Sequence, residues 1–135
     1  MAVTTKGLYA IGGTQSGRRA LAKHTGHWAL TSVDIFNGVE WITGPELLSG
    51  RSGHSAVVYD DEIYVFGGLG DRMNLNKFNQ ILVLSNKRNE WEAIGYMLQP
   101  VRQKFIVIPF SMSKVWIYGG TCVNFPHPVL NIYSR

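Results

Sequence analysis

The sequence predicts an all-β fold made of repeated antiparallel units, and three recurring features predict it. The first is a run of strand-forming residues ending in two glycines: LYAIGG at 8–13, IYVFGG at 63–68 and VWIYGG at 115–120. Gly12, Gly67 and Gly119 open these pairs at steps of 55 and 52 residues. The second is a tryptophan, Trp41 in VEWITGP and Trp91 in NEWEAIG, at a step of 50. The third is a short apolar run, SVDIF, QILVL and LNIYS, at steps of 48 and 49. Arg51 and Arg102, 51 apart, keep the same period. Self-similarity at about fifty residues marks an architecture in which each unit buries its faces against its neighbours.

The middle unit shows the pattern in full. SAVVY at 55–59 is apolar and β-branched, and Asp60, Asp61 and Glu62 supply a tight turn. A second strand at 63–66 is apolar at every position, as expected where both faces are buried. A third follows a polar loop at 80–84. The turn 86–89 then leads to a fourth short strand carrying Trp91. Four antiparallel strands with turns at this spacing make one blade of a β-propeller. The first unit begins with its second strand at Gly7, and residues 1–3 read as the tail of a first strand otherwise lost. The third unit has strands at 105–110, 115–118 and 129–133 and no outer tryptophan strand. The units are therefore 1–43, 44–95 and 96–135: one complete blade between two incomplete ones, an open arc. The chain reads as a piece of a larger protein or a truncated product. Residues 14–28, 69–78 and 121–128 read as polar loops, and no segment has a helical period.

The double glycines fit this picture structurally. A doubly buried strand leaves its sheet where another backbone passes close, and glycine tolerates both the contact and a positive φ. A phosphate-cradling loop is excluded, because no helix follows and no GK[ST] is present.

Composition narrows the function classes. The chain has 135 residues, 45% hydrophobic and 16% charged, ordinary for a folded domain. No apolar run reaches the roughly 18 residues of a membrane span. No basic segment followed by an apolar one opens the chain, so no secretion signal is expected. The lone Cys122 leaves a reducing, cytoplasmic location as the expectation. The net charge of +4 admits an acidic partner. Its basic residues are scattered rather than arranged in an aromatic-laced stripe, so neither nucleic acid nor membrane is expected as partner.

These residues resemble the Kelch repeat, whose unit carries a double glycine, a nearby tyrosine and a tryptophan in the outer strand. The matching positions are Gly12, Gly13 and Tyr9; Gly67, Gly68 and Tyr64; and Gly119 and Gly120, with Trp116 in place of the tyrosine. Trp41 and Trp91 match the outer tryptophan, and Arg51 and Arg102 match the loop arginine before the first strand. The resemblance implies an incomplete Kelch-type β-propeller with protein–protein interaction as its role. Substrate recognition for a ubiquitin-ligase adaptor is the leading specific case. An actin-associated or scaffolding protein and a sugar-modifying enzyme, galactose-oxidase-like or sialate-isomerase-like, are the alternatives.

In such propellers the loops joining second to third strands, and fourth strands to the next first, carry partner contacts. Loops on a rigid scaffold vary without disturbing the core. The positions just after the loop arginine point into the central face, which nominates Ser52, Gly53, Gln103 and Lys104. Arg18 and Arg19 are loop charges suited to an acidic partner. Arg51 and Arg102 themselves read as structural hydrogen-bonders. His24, His27, His54 and His127 lack the spacing of a zinc site, so no metal is expected. The acidic residues are turn residues, so no catalytic pair and no cofactor are expected.

Overall fold

The computed structural model describes residues 1–18, 25–70, 80–96, 102–111, 114–122 and 131–134; at 16–18, 25–28, 102–103, 110–111, 114, 120–122 and 131–134 the backbone alone is described. Thirteen strands are present among the described residues. They are β1 (Ala2–Thr4), β2 (Gly7–Ile11), β3 (Thr14–Arg18), β4 (Thr25–Ala29), β5 (Val33–Phe36), β6 (Trp41–Thr43), β7 (Ser55–Tyr59), β8 (Glu62–Phe66), β9 (Gln80–Ser85), β10 (Glu90–Tyr96), β11 (Arg102–Ser111), β12 (Lys114–Cys122) and β13 (Asn131–Ser134).

Among the described residues the strands form four antiparallel sheets, of which β3-β4 is a separate pair and the other three follow one another in chain order. Sheet 1 is β1-β2-β5-β6, sheet 2 is β7-β8-β9-β10 and sheet 3 is β11-β12-β13. The first strands neighbour one another, β1 beside β7 and β7 beside β11, so they form the inner edge of the arc. The fold is an all-β propeller type with open sheets at either end.

Two elements differ from the sequence reading. Sheet 1 has four strands rather than three, because Ala2–Thr4 pairs with β2 in the register Ala2 opposite Tyr9. Thr5 and Lys6 close this hairpin, and the Lys6 amide donates to the Thr4 hydroxyl at 3.1 Å. The residues that the sequence reading took for the tail of a lost first strand are thus a strand in their own right, short but paired along its length. The polar segment 14–28 is also not a plain loop. β3 and β4 pair in it from Thr14 opposite Ala29 to Arg18 opposite Thr25. Backbone pairing needs no apolar face, so a polar hairpin leaves almost no hydrophobic signature.

Sheet 2 shows why its strands must be apolar throughout. Successive strand residues point to opposite faces. On β8, Ile63 and Val65 enter a cluster with Tyr9, Ile11, Val33 and Ile35 of sheet 1. Tyr64 and Phe66 enter a second cluster with Phe105, Val107 and Ile117 of sheet 3. Strand β9 divides the same way, Leu82 and Leu84 to one side, Ile81 and Val83 to the other. Full burial of each such side chain contributes about 1.5–3 kcal/mol, so sheet 2 is the strut on which both neighbours rest.

Candidate functional site

The antiparallel order sorts the connections onto two ends of the arc. The turns between first and second strands, and between third and fourth, lie at one end. The glycine pairs Gly12–Gly13 and Gly67–Gly68 and the 44–54 connection lie at the other, where β7 begins and β8 ends. That second end is the candidate rim.

Residues 51–54 hold the rim together. The Arg51 carbonyl accepts from the Gly13 amide of sheet 1 at 2.9 Å. Ser52 pairs with Leu69 of sheet 2, amide to carbonyl in both directions at 2.7 Å. The Gly53 carbonyl accepts from the Lys104 amide of sheet 3 at 2.7 Å. One four-residue stretch therefore bonds to all three units. The glycine pairs make this approach possible. A Cβ on Gly12, at φ 58°, would lie 2.6 Å from the Arg51 carbonyl oxygen, and one on Gly68, at φ 97°, 2.8 Å from that of Ser52.

The Arg51 side chain is 0% exposed. Its guanidinium donates from Nη1 to the carbonyls of Gly67 at 3.2 Å and Gln80 at 3.3 Å, and from Nη2 to Ser49 Oγ at 3.3 Å. Those two carbonyls stand where β8 ends and β9 begins, so the arginine ties the end of one strand to the start of the next. Burial lowers its pKa to about 10, and it stays charged at neutral pH. Its Nε and the Nδ1 of His54 are buried without a hydrogen-bond partner. Burial, then the Arg51 charge, lowers the His54 pKa to about 4; the backbone of Ile11 and Arg51 acts in the opposite direction. His54 is therefore held neutral.

The rim brings Ser52, Gly53 and Lys104 together. Gln103 precedes Lys104 in β11, opposite Thr121, and Arg102 is opposite Cys122; the description at Arg102 and Gln103 is of backbone alone. Arg18 ends β3 in the hairpin, some distance along the chain from the glycine pair it follows. Arg19 lies outside the described residues, as do His24, His127 and most of the second and third loops. Lys104 is exposed and has φ 54°, a left-handed conformation. Gly53 holds the equivalent position in sheet 2, two residues after Arg51 as Lys104 is two after Arg102, and has φ 64°. The backbone demands the same strained geometry twice. It is met once by glycine and once by a cation. A non-glycine residue there costs about 1–2 kcal/mol, and such strain is found at functional positions.

Two features escaped the sequence reading. The histidine of GRSGHSAVV gives no sign that it is buried against an arginine. The register of Arg51 and Arg102, extended by two positions, nominated Gly53 and Lys104, but not the positive φ that they share. The trypophan pair also divides. Trp91 is 4% exposed, and its Nε1 donates to the Pro45 carbonyl of the preceding connection at 2.8 Å. Trp41 is 54% exposed and stacks, tilted by 41°, on Phe36 at 5.4 Å. Among the described residues no group of three or more His, Cys, Asp or Glu side chains could hold a metal ion, and no helix is long and apolar enough to cross a membrane.

Residues 50–98, a span that includes the strands of sheet 2, match the family model described as Kelch motif. A solved structure titled "Structure of YjhT" is similar in fold, with a TM-score of 0.67 and 16% sequence identity. The match covers 87% of this chain and 42% of that one, so this chain spans less than half of the neighbour's length. No curated protein matches.

Proposed function

We propose that this chain, a Kelch-repeat protein with blades of β-propeller type, is a protein-interaction module that receives an acidic partner segment at the rim. Within that class we place it in substrate recognition for a ubiquitin-ligase adaptor, the common employment of such repeats. The observation that carries the reading is Lys104: an exposed cation kept in a backbone conformation that sheet 2 gives to glycine. Around it, Ser52 and Gly53 are fixed by backbone bonds, so the surface is preorganised and loses little entropy on binding. Arg18, which ends β3, and Arg19, which lies outside the described residues, are the further cations that the sequence offers to such a partner.

The experiment is quantitative capture of partners by the wild-type chain and by Lys104→Glu and Arg18→Glu. Charge reversal weakens capture at least tenfold while thermal unfolding stays within the range of ordinary surface changes. Equal capture by both variants removes the rim from the reading. Ubiquitin-ligase subunits among the proteins bound with wild type support the adaptor assignment; an actin-only set would replace it.

A further inference from the structure

The turn between β5 and β6, residues 37–40, contains an Asn-Gly pair. Phe36 pairs with Trp41, and the Asn37 amide donates to the Glu40 carbonyl at 3.1 Å, so Gly38 and Val39 are the central residues of a tight hairpin. The positive φ of 100° falls on Gly38, the first of them, where such a turn calls for glycine. A Cβ there would meet nothing within 4 Å, and all four turn residues are exposed. That exposure belongs to the turn itself. The corresponding turn of sheet 2, residues 86–89, is exposed throughout although sheet 2 is packed on both faces.

The hydrogen bonds of the turn bear on its chemistry. Asn37 Oδ1 accepts from the amide of Val39 at 2.9 Å and from that of Glu40 at 3.0 Å. Both donors draw electron density from Cγ. They also face the charge that gathers on Oδ1 when a nucleophile adds to that carbon, as donors aimed at a developing oxyanion do. The nucleophile is the next nitrogen of the chain. Glycine has no side chain to hinder it, and among the described residues no acceptor engages the Gly38 amide. Asn37 Nδ2, the leaving group, is likewise unengaged among them. Asn86 opens the corresponding turn and differs on both counts. Its Nδ2 donates to the Asp61 carbonyl at 3.1 Å, and Lys87 follows it with a Cβ that crowds the nitrogen.

We propose that Asn37 is a site of spontaneous covalent modification, deamidation through a cyclic imide formed with Gly38. The Gly38 nitrogen gives its proton to solvent and bonds to Asn37 Cγ. The bond from Cγ to Nδ2 breaks, and Nδ2 takes a proton from solvent and leaves as ammonia. Water then opens the five-membered ring. Cleavage of the new bond at Cγ gives aspartate; cleavage of the original main-chain bond gives isoaspartate. Water is the only co-reactant. Aspartate keeps an acceptor for the amides of Val39 and Glu40, now charge-assisted, so the hairpin persists while the net charge of +4 falls by one. Isoaspartate adds a methylene to the main chain inside a turn whose length sets the register of β5 and β6, and so loosens β6. The turn lies at the end of the arc opposite the rim, so the site is independent of the role proposed for Lys104.

The folded wild-type chain, held at mildly alkaline pH and body temperature, tests this. Peptide mapping by mass spectrometry follows each asparagine, and a protein isoaspartyl methyltransferase with labelled S-adenosylmethionine counts isoaspartate. Asn37 is expected to convert about tenfold faster than Asn86 or Asn89, a modest share of what one oxyanion donor supplies in an enzyme. Both aspartate and isoaspartate should accumulate at position 37. Asn37→Ser keeps an acceptor for the turn and has no side-chain amide, so it should halt most of the labelling. A wild-type chain whose Asn37 stays intact when folded, yet converts when unfolded in urea, overturns the proposal, because the turn then protects the residue. Conversion of Asn86 at the same rate as Asn37, or undiminished labelling of Asn37→Ser, overturns it as well.

Discussion

His54 sets the acid side of stability. Its pKa is about 4 in the folded chain against 6.5 for an ordinary histidine. Above pH 6.5 both states are neutral and nothing changes. Between pH 6.5 and 4 the unfolded chain takes up a proton that the folded chain refuses, so stability falls with pH, by about 3 kcal/mol in all. Chemical denaturation at stepped pH should show this slope in the wild type and lose it in His54→Gln. Asp61 acts in a separate window. Its carboxylate accepts from the Thr5 hydroxyl and from the Thr5 amide at 2.8 Å, and these bonds lower its pKa. That contribution is present above the ordinary carboxylate value and is lost only below it, so a slope confined to pH 6.5–4 belongs to the histidine. Lys104 makes the complementary test at neutral pH. Replacement by glycine relieves the positive φ and should raise stability by about 1 kcal/mol, as relief of left-handed strain does, while weakening partner capture. A Lys104→Gly chain that is less stable than wild type would show that the lysine side chain is held for packing instead.

Among the elements, the fourth strands show how one residue type acquires two roles. Trp91 in β10 lies under the connection from sheet 1, with its indole on Pro45. Trp91→Phe shrinks a buried ring and removes the donor to the half-buried Pro45 carbonyl, and should cost about 1–2 kcal/mol in urea unfolding. Trp41→Phe in the exposed β6 should stay within about 0.5 kcal/mol. Comparable losses at both would mean that Trp41 is covered in solution. The difference is invisible in VEWITGP and NEWEAIG because burial of the indole depends on a preceding sheet, not on its own strand. The same limit governs what else could be read. Strands β7, β8 and β9 were legible, since each is a dense β-branched or aromatic run. The glycine pairs were legible because their constraint is local. β1 was legible only as a strand's tail, because three residues do not show that they complete a sheet, and the β3–β4 hairpin was hidden by its polarity. The rim was half legible: the arginine period located Ser52, Gly53 and Lys104, but the bonds by which 51–54 joins three sheets are long-range. Nothing in the order of residues encodes them.

At the scale of the molecule, stability is distributed by neighbours. Sheet 2 is packed on both faces, sheet 1 and sheet 3 on one each. In a stack of units each element's free energy is its own plus those of its contacts, so the middle unit opens last. Amide hydrogen exchange should therefore be slowest in β8 and β9, where Val65, Ile81 and Leu82 are fully buried. It should be faster in β2 and β5, and in β11 and β12, whose second faces are open. Arg51→Ala should erase much of this gradient from one point. It strips the donor from the buried Gly67 carbonyl, at about 1–3 kcal/mol, and from the half-buried Gln80 carbonyl at less, and so loosens the strut itself. The expected pattern is accelerated exchange in β8 and β9 first. Uniform exchange across all three sheets in the wild type would mean that the units unfold as one. Slow exchange in β11 and β12, matching β8, would mean that the outer face of sheet 3 is covered in solution.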